Sequence, residues 1–132
     1  MSRLLENVLV EVVNADIALR ALVGDRLYPI TLPRTLSLAD GSKDLPALTY
    51  AMISRLHHAE IPVIHPRYRF MVFADSYESA KRVAQAVENC FTGCRRAGIR
   101  LSALAGAQDL HDLDAGIYRV PVDVKITYME EV

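Results

Sequence analysis

The chain has 132 residues, 52% of them hydrophobic and 23% charged, a mass of 14.7 kDa and a formal net charge of −1. This composition predicts one globular domain over residues 1–132 with its own core, and it excludes a mainly disordered chain. We find neither the roughly 18–20 consecutive apolar residues of a membrane helix nor a secretory signal, so we expect no membrane partner. The balanced charge also disfavours a general nucleic-acid binder, whose mark is a basic excess.

The first half of the chain predicts two short helices and a short strand. Apolar residues recur at helical spacing over residues 4–13. Asp16 is placed to cap a second helix, and Gly24 is placed to end it. Pro29 makes the extended piece that follows edge-like, because proline cannot donate a hydrogen bond to a neighbouring strand. Residues 31–46 then form a long loop, of a length that is often functional.

The second half predicts further strands around one long helix. Alternating patterns indicate strands at 47–56, 67–74 and 117–129, with a weaker one at 99–109. Asp75 is placed to cap the helix between them. At about twice the usual length, the last strand is expected to reach beyond its own domain. The order predicts an α+β fold, a mostly antiparallel sheet of about four to five strands with helices packed on one face.

A histidine-rich loop is the first candidate for chemistry. His57, His58 and His65, with Glu60 between them, are residue types that bind zinc. Adjacent histidines in a strand point to opposite faces, however, so His57 and His58 would not converge on one ion. An exposed interaction loop at 57–66 is the better interpretation.

An acidic run is the second candidate. Asp109, Asp112 and Asp114 lie close together, but they lack the ligand spacing and the closing glutamate of a calcium-binding EF-hand. A solvated turn is the better interpretation of the run. We also find no sequence motif of an activated nucleophile, a phosphate loop or a zinc protease, so we expect no cofactor and no enzymatic activity.

One face of the predicted sheet is charged. Arg67 and Arg69 alternate with apolar residues on one strand, and Arg119, Asp123 and Lys125 do so on the last strand. A face of this kind is either solvated or covered by a partner. We therefore take these five residues, together with the histidine-rich loop and the acidic run, as candidate interface residues.

Four segments, in order along nearly the whole chain, resemble a known family. They are LVGDRLYP at residues 22–29, PALTY at 46–50, ADSY at 74–77 and the long strand at 117–129. Together they resemble the tail-completion, or tail-terminator, proteins of long-tailed bacteriophages. The longer loop at 31–46 and the acidic run at 109–114 depart from the commonest pattern of that family.

The resemblance implies a structural role in a virion. Such proteins form a ring, commonly a hexamer, on the last ring of tail-tube subunits, stop polymerisation of the tube and present a surface for joining the head. The implied partners are further copies of the chain, the major tail-tube protein and a head-completion or connector protein. Double-stranded DNA would pass through the lumen without specific binding. The implied location is the tail or neck of the virion, after assembly in the host cytoplasm.

The residues themselves are compatible with this role and leave alternatives open. A closed ring needs a head-to-tail interface between two different patches, for which the charged sheet face and the acidic run are candidates. Acidic residues facing a lumen would also let DNA slide past, because they do not attract phosphates. The alternatives are a neck or head–tail connector protein, a metal-dependent hydrolase using His57, His65 and the acidic run, and a small-ligand-binding regulatory domain.

Overall fold

The computed structural model describes residues 5–33, 45–54, 63–92, 99–107, 110–112 and 117–129. In chain order, its elements are α1 (Leu5–Ala15), α2 (Ile17–Val23), β1 (Leu27–Pro29), β2 (Ala47–Ser54), β3 (Val63–Ile64), β4 (Arg67–Ala74), α3 (Tyr77–Phe91), β5 (Ile99–Ala107), β6 (Leu110–Asp112) and β7 (Ile117–Met129). Helices cover one face of a sheet, which confirms the predicted α+β class. In these ranges no helix is long and apolar enough to cross a membrane.

The sheet is built around β7. Along one edge β7 pairs antiparallel with β4 and then β3, and along the other edge with β5 and then β6. β2 pairs antiparallel with the far side of β4, and β1 lies beyond it, parallel to β2. The seven segments thus fill five strand positions, since β3 and β4 share one and β5 and β6 share another. The mostly antiparallel sheet and the edge position of β1 both confirm the sequence prediction.

The length of β7 has a cause within the domain. Its residues pair with β6 from Ile117 onwards and with β3 as far as Met129. Both edges are therefore used by this chain's own strands along most of the thirteen residues. The expectation that the strand reaches beyond its domain is wrong, because β3 and β4 pair with one edge of β7 and β5 and β6 pair with the other.

The main core lies between the helices and the sheet. In α3 an apolar stripe that includes Val83, Val87 and Phe91 is buried, and the ring of Phe91 lies 4.8 Å from that of Phe70 on β4. α1 packs beside α3, where the Cys90 thiol donates to the carbonyl oxygen of Val12 at 3.8 Å. The largest fully buried side chains of this core are Phe70, Phe91, Leu9, Leu19, Leu48 and Ile126.

Capping side chains fix where two of the helices begin. The Asp16 carboxylate accepts a hydrogen bond from the Leu19 amide at 3.0 Å, as predicted. α3, in contrast, is capped by Ser76 and not by Asp75. Ser76 has the extended backbone of a cap residue, and its hydroxyl accepts from the Ser79 amide at 3.2 Å. Asp75 lies one residue too early for that geometry.

A single arginine holds the corner where α2, β1 and β2 meet. Gly24 ends α2 with a positive φ of 59°, which favours glycine. The guanidinium of Arg26 then donates from Nε to the carbonyl oxygen of Pro46 at 2.8 Å and from a terminal nitrogen to that of Leu22 at 3.3 Å. The LVGDRLYP and PALTY segments are thus joined to each other, and Gly24 and Arg26 serve the fold.

The outer face of the sheet, opposite the helices, is not uniformly solvated. At one end Leu45, Ala47 and Ile117 are buried in a second, smaller apolar cluster. Tyr28, Leu32 and Phe73 pack against it. Charged side chains dominate only the remainder of this face.

Candidate functional site

The charged part of the outer face lies on β4 and β7. The alternation of side chains along a strand places Arg67 and Arg69 on the same face as Asp123 and Lys125. The register sets Arg69 directly opposite Asp123 and Arg67 directly opposite Lys125. The structure therefore brings these four predicted residues together, as adjacent pairs across two strands.

Asp123 is held by both arginines. Arg69 donates from Nε to Oδ1 at 2.8 Å and from a terminal nitrogen to Oδ2 at 3.2 Å, a two-point contact. Arg67 donates to Oδ2 at 3.0 Å. The Asp123 side chain is only 10% exposed, whereas those of Arg67 and Arg69 are 37% and 45% exposed. A nearly buried carboxylate thus organises two half-exposed guanidinium groups.

The ion pairs keep this cluster charged. Hydrogen bonding from Arg69 lowers the pKa of Asp123, and Arg67 contributes in the same direction. Burial of the carboxylate opposes this effect but does not overcome it. The same hydrogen bond raises the pKa of Arg69. Asp123 therefore stays ionised at neutral pH, and the three residues together carry one positive charge.

The outer face has further basic groups. Lys125 is exposed, and Arg119 lies further along β7, opposite Phe73 of β4. The Nε atoms of Arg67 and Arg119 are buried, and neither has a hydrogen-bond partner within the described part of the chain. Four basic side chains against one acidic side chain give this face of β2, β4 and β7 a net charge of +3. We call these five residues the basic face.

The histidine-rich loop is described only at its end. His57, His58 and Glu60 lie outside the described residues. Val63–Ile64 forms a strand, so the predicted loop at 57–66 is shorter than expected at this end. The Nδ1 atom of His65 lies 3.3 Å from the Thr127 hydroxyl on β7. Within the described ranges, no group of three or more histidine, cysteine or acidic residues is placed to hold a metal ion.

The acidic run is not a simple turn. Leu110–Asp112 forms β6, which pairs with β7 so that Asp112 lies opposite Ile117 and Leu110 opposite Arg119. Asp109 and Asp114 lie outside the described residues. The prediction of a solvated turn over 109–114 is therefore wrong for the middle of the run, because the long β7 continues far enough to pair with it.

Exposed apolar residues at the ends of β1 and β2 were missed by the sequence analysis. Ile30 is 74% exposed, and Met52 and Ile53 are 49% and 44% exposed. β1 ends opposite Tyr50, so β2 continues as an edge strand beyond that point and its last residues lose cover. The sequence shows that Met52 and Ile53 are adjacent apolar residues near the end of a strand. Only the pairing of β1 with β2 shows that they are exposed.

Comparisons with known proteins define the fold. No model of a known protein family matches the sequence, and no curated protein sequence matches it either. Among solved structures, the chain is similar to one in the virion of a native gene transfer agent particle, with a TM-score of 0.69 and 18% sequence identity. The similarity covers 92% of this chain and 90% of that one. The two chains therefore share one fold over nearly their whole lengths.

Proposed function

We propose that this protein is a structural component of a phage-like virion, specifically a tail terminator. It forms a ring, commonly hexameric in the family it resembles, on the end of the tail tube. There it stops polymerisation of the tube and provides the surface that joins the head. Its partners are then further copies of itself, the tail-tube protein and a head-completion or connector protein.

The observation that carries the proposal is the agreement between the motif order and the fold. LVGDRLYP spans the end of α2 and β1, PALTY opens β2, ADSY lies where β4 meets α3, and the long final segment is β7. Arg26 ties the first two segments together, which gives the motif a structural reason. The chain from the gene transfer agent virion supports the coarser part of the proposal, because it has this fold and belongs to a particle.

The polar residues support a role in binding proteins more than one in catalysis. Asp123 is held by two arginines, and its low pKa makes it a poor general acid or base at neutral pH. Arg67 and Arg69, held in place around Asp123, are instead suited to binding a protein surface of complementary charge. We therefore propose a structural role without enzymatic activity, in the virion tail or neck, with assembly in the host cytoplasm.

Reconstitution with tail tubes tests this function. Purified protein is mixed with tubes that lack a terminator, and the tube ends are imaged by electron microscopy while elongation is followed. We expect a ring at one end of each tube and arrest of growth there. Binding to the portal side of the head, with tube growth unchanged, would show a neck connector instead. Binding to neither would contradict a role in joining head and tail.

A further inference from the structure

Among the residues whose side chains the structure describes, the two outer surfaces of the domain carry opposite charge. The five residues of the basic face have a net charge of +3. On the opposite side, α1 exposes Glu6 and Glu11 and has no basic residue, which gives it a charge of −2. The other helices are balanced: Asp16 offsets Arg20 at α2, and Glu78 and Glu88 offset Lys81 and Arg82 on α3. Among the three helices, the excess negative charge therefore lies on α1.

We propose that the basic face of one copy binds the exposed acidic side of α1 on the next copy. This inference rests on the proposed function, since it names the two surfaces that would meet in the ring. The surfaces lie on opposite layers of the domain, so the contact is head-to-tail. In an open row of copies joined by head-to-tail contacts, the first copy has one unbound surface and the last copy has the other. When the row closes into a ring, these two surfaces bind each other.

The exposed side of α1 carries two separated carboxylates. Glu6, Asn7 and Glu11 are all exposed, and the helical period places Glu6 and Glu11 about 140° apart, on the two flanks of the side that lies opposite the buried residues Leu5 and Val8. Carboxylates on a rigid helix can accept hydrogen bonds from guanidinium groups. The basic face offers Lys125 and the half-exposed Arg67 and Arg69 as donors.

A second copy fits the basic face better than duplex DNA does. Asp123 lies at the centre of this face and would repel phosphates, and it already takes three hydrogen bonds from Arg67 and Arg69. The chain as a whole has a net charge of −1, whereas a DNA-binding domain carries a basic excess. The positive charges of the basic face are spread out and do not form the continuous basic groove that duplex DNA would need. A protein surface with two separated carboxylates can pair with such spread charges.

Zero-length cross-linking of the wild-type protein tests the contact directly. A carbodiimide activates a glutamate carboxylate, the Lys125 amine attacks it, and an amide bond forms with loss of the activated group as a urea. Mixing ¹⁴N-labelled and ¹⁵N-labelled protein lets mass spectrometry identify links between two different chains. We expect links from Lys125 to Glu6 or Glu11 in mixed pairs. Links between chains at other positions only, or no link between chains, would overturn the proposal.

Charge-reversal variants provide a second test of the contact. Lys125→Glu places a carboxylate opposite Arg67 within the chain, so the fold should tolerate it, and Glu6→Lys reverses the other surface. Each single variant should weaken self-association, measured by sedimentation equilibrium, by about tenfold or more. Combining both changes in one chain should restore it. Lys81→Glu on α3 alters the net charge as Lys125→Glu does, and it should not weaken association.

The outcomes separate this inference from the function on which it rests. If rings cap tail tubes but the two single variants associate normally, the assignment of surfaces is overturned while the tail-terminator function stands. If Lys125→Glu abolishes binding to duplex DNA and leaves self-association unchanged, the basic face binds DNA and the proposal is wrong. If no ring caps the tubes, the tube-end experiment rejects the function itself.

Discussion

Arg69 and Asp123 face each other across β4 and β7 and share two hydrogen bonds, at 2.8 and 3.2 Å. The carboxylate is nearly buried, whereas the guanidinium is almost half exposed. A pair of this kind combines two properties. Its buried end fixes the register of two central strands, and its exposed end presents charge to a partner.

Replacing Asp123 with Asn removes the centre of this cluster. We expect a loss of about 1–2 kcal/mol at neutral pH, since Arg67 and Arg69 are solvated enough to recover part of their hydration. The low pKa of Asp123 in the folded state means that its stabilising effect is present above the ordinary carboxyl pKa of about 4 and fades as pH falls towards the folded value. Urea unfolding of wild type and Asp123→Asn should therefore converge in acid.

The matched control is the exposed Asp25, where replacement by Asn should change stability by less than about 0.5 kcal/mol. A difference between wild type and Asp123→Asn that grows on acidification would contradict the ion-pair interpretation.

The aromatic contact between α3 and the sheet gives a second prediction. Phe91 is 1% exposed and its ring packs on Phe70, so Phe91→Ala should cost about 3–5 kcal/mol by leaving a cavity. Tyr77→Ala, on the same helix but 49% exposed, should cost no more than about 1 kcal/mol. Thermal and chemical denaturation measure both. Equal losses would mean that α3 is not packed through Phe91.

Arg26 gives a third prediction. Arg26→Ala leaves the carbonyl oxygens of Leu22 and Pro46 without their donor, which should destabilise the domain by about 2 kcal/mol. Arg26→Lys keeps the charge but cannot supply two donors in a fixed fork, so it should recover only part of the loss. Full recovery with lysine would show that the charge alone matters at this corner.

Ile30 gives a fourth prediction, with the opposite sign. Its φ of 67° is unfavourable for a β-branched residue, and the Thr31 amide donates to the Pro29 carbonyl oxygen at 2.7 Å across this tight turn. Ile30→Gly should stabilise the protein by about 1 kcal/mol, because glycine adopts a positive φ without the steric cost of a Cβ. Ile17→Gly, at an isoleucine that is also exposed but helical, should not stabilise it. A loss on Ile30→Gly would mean that the side chain of Ile30 makes a contact worth more than the strain.

The acidic run is the subject of a fifth prediction. A phage that encodes Asp112→Lys and Asp114→Lys together should produce tails of abnormal length or heads and tails that fail to join, because the reversed charges disturb assembly. Complementation of a phage lacking the wild-type gene measures this. Normal virions at normal yield would remove the run from the functional surfaces.

Local patterns in the sequence determined the helices and strands in which buried and exposed residues alternate at a regular spacing. The alternation in β4 and β7, the apolar stripe of α3 and the Asp16 cap could all be predicted, because each depends on neighbours within about one turn or a few residues of strand. The same alternation placed Arg67, Arg69, Asp123 and Lys125 on one face. It could not show that Asp123 is paired and nearly buried, and these four residues and Arg119 were predicted only as a set of charges.

The tertiary structure alone decided which strands pair and in which register. Strand pairing places Arg69 opposite Asp123 and occupies both edges of β7 with strands of the same chain. It also makes Leu110–Asp112 a strand, and it leaves Met52 and Ile53 exposed at the end of β2. Short segments such as Val63–Ile64 have too little pattern of their own to be predicted. They become strands because a neighbouring long strand offers unpaired backbone groups, and that is a property of residues far away in sequence.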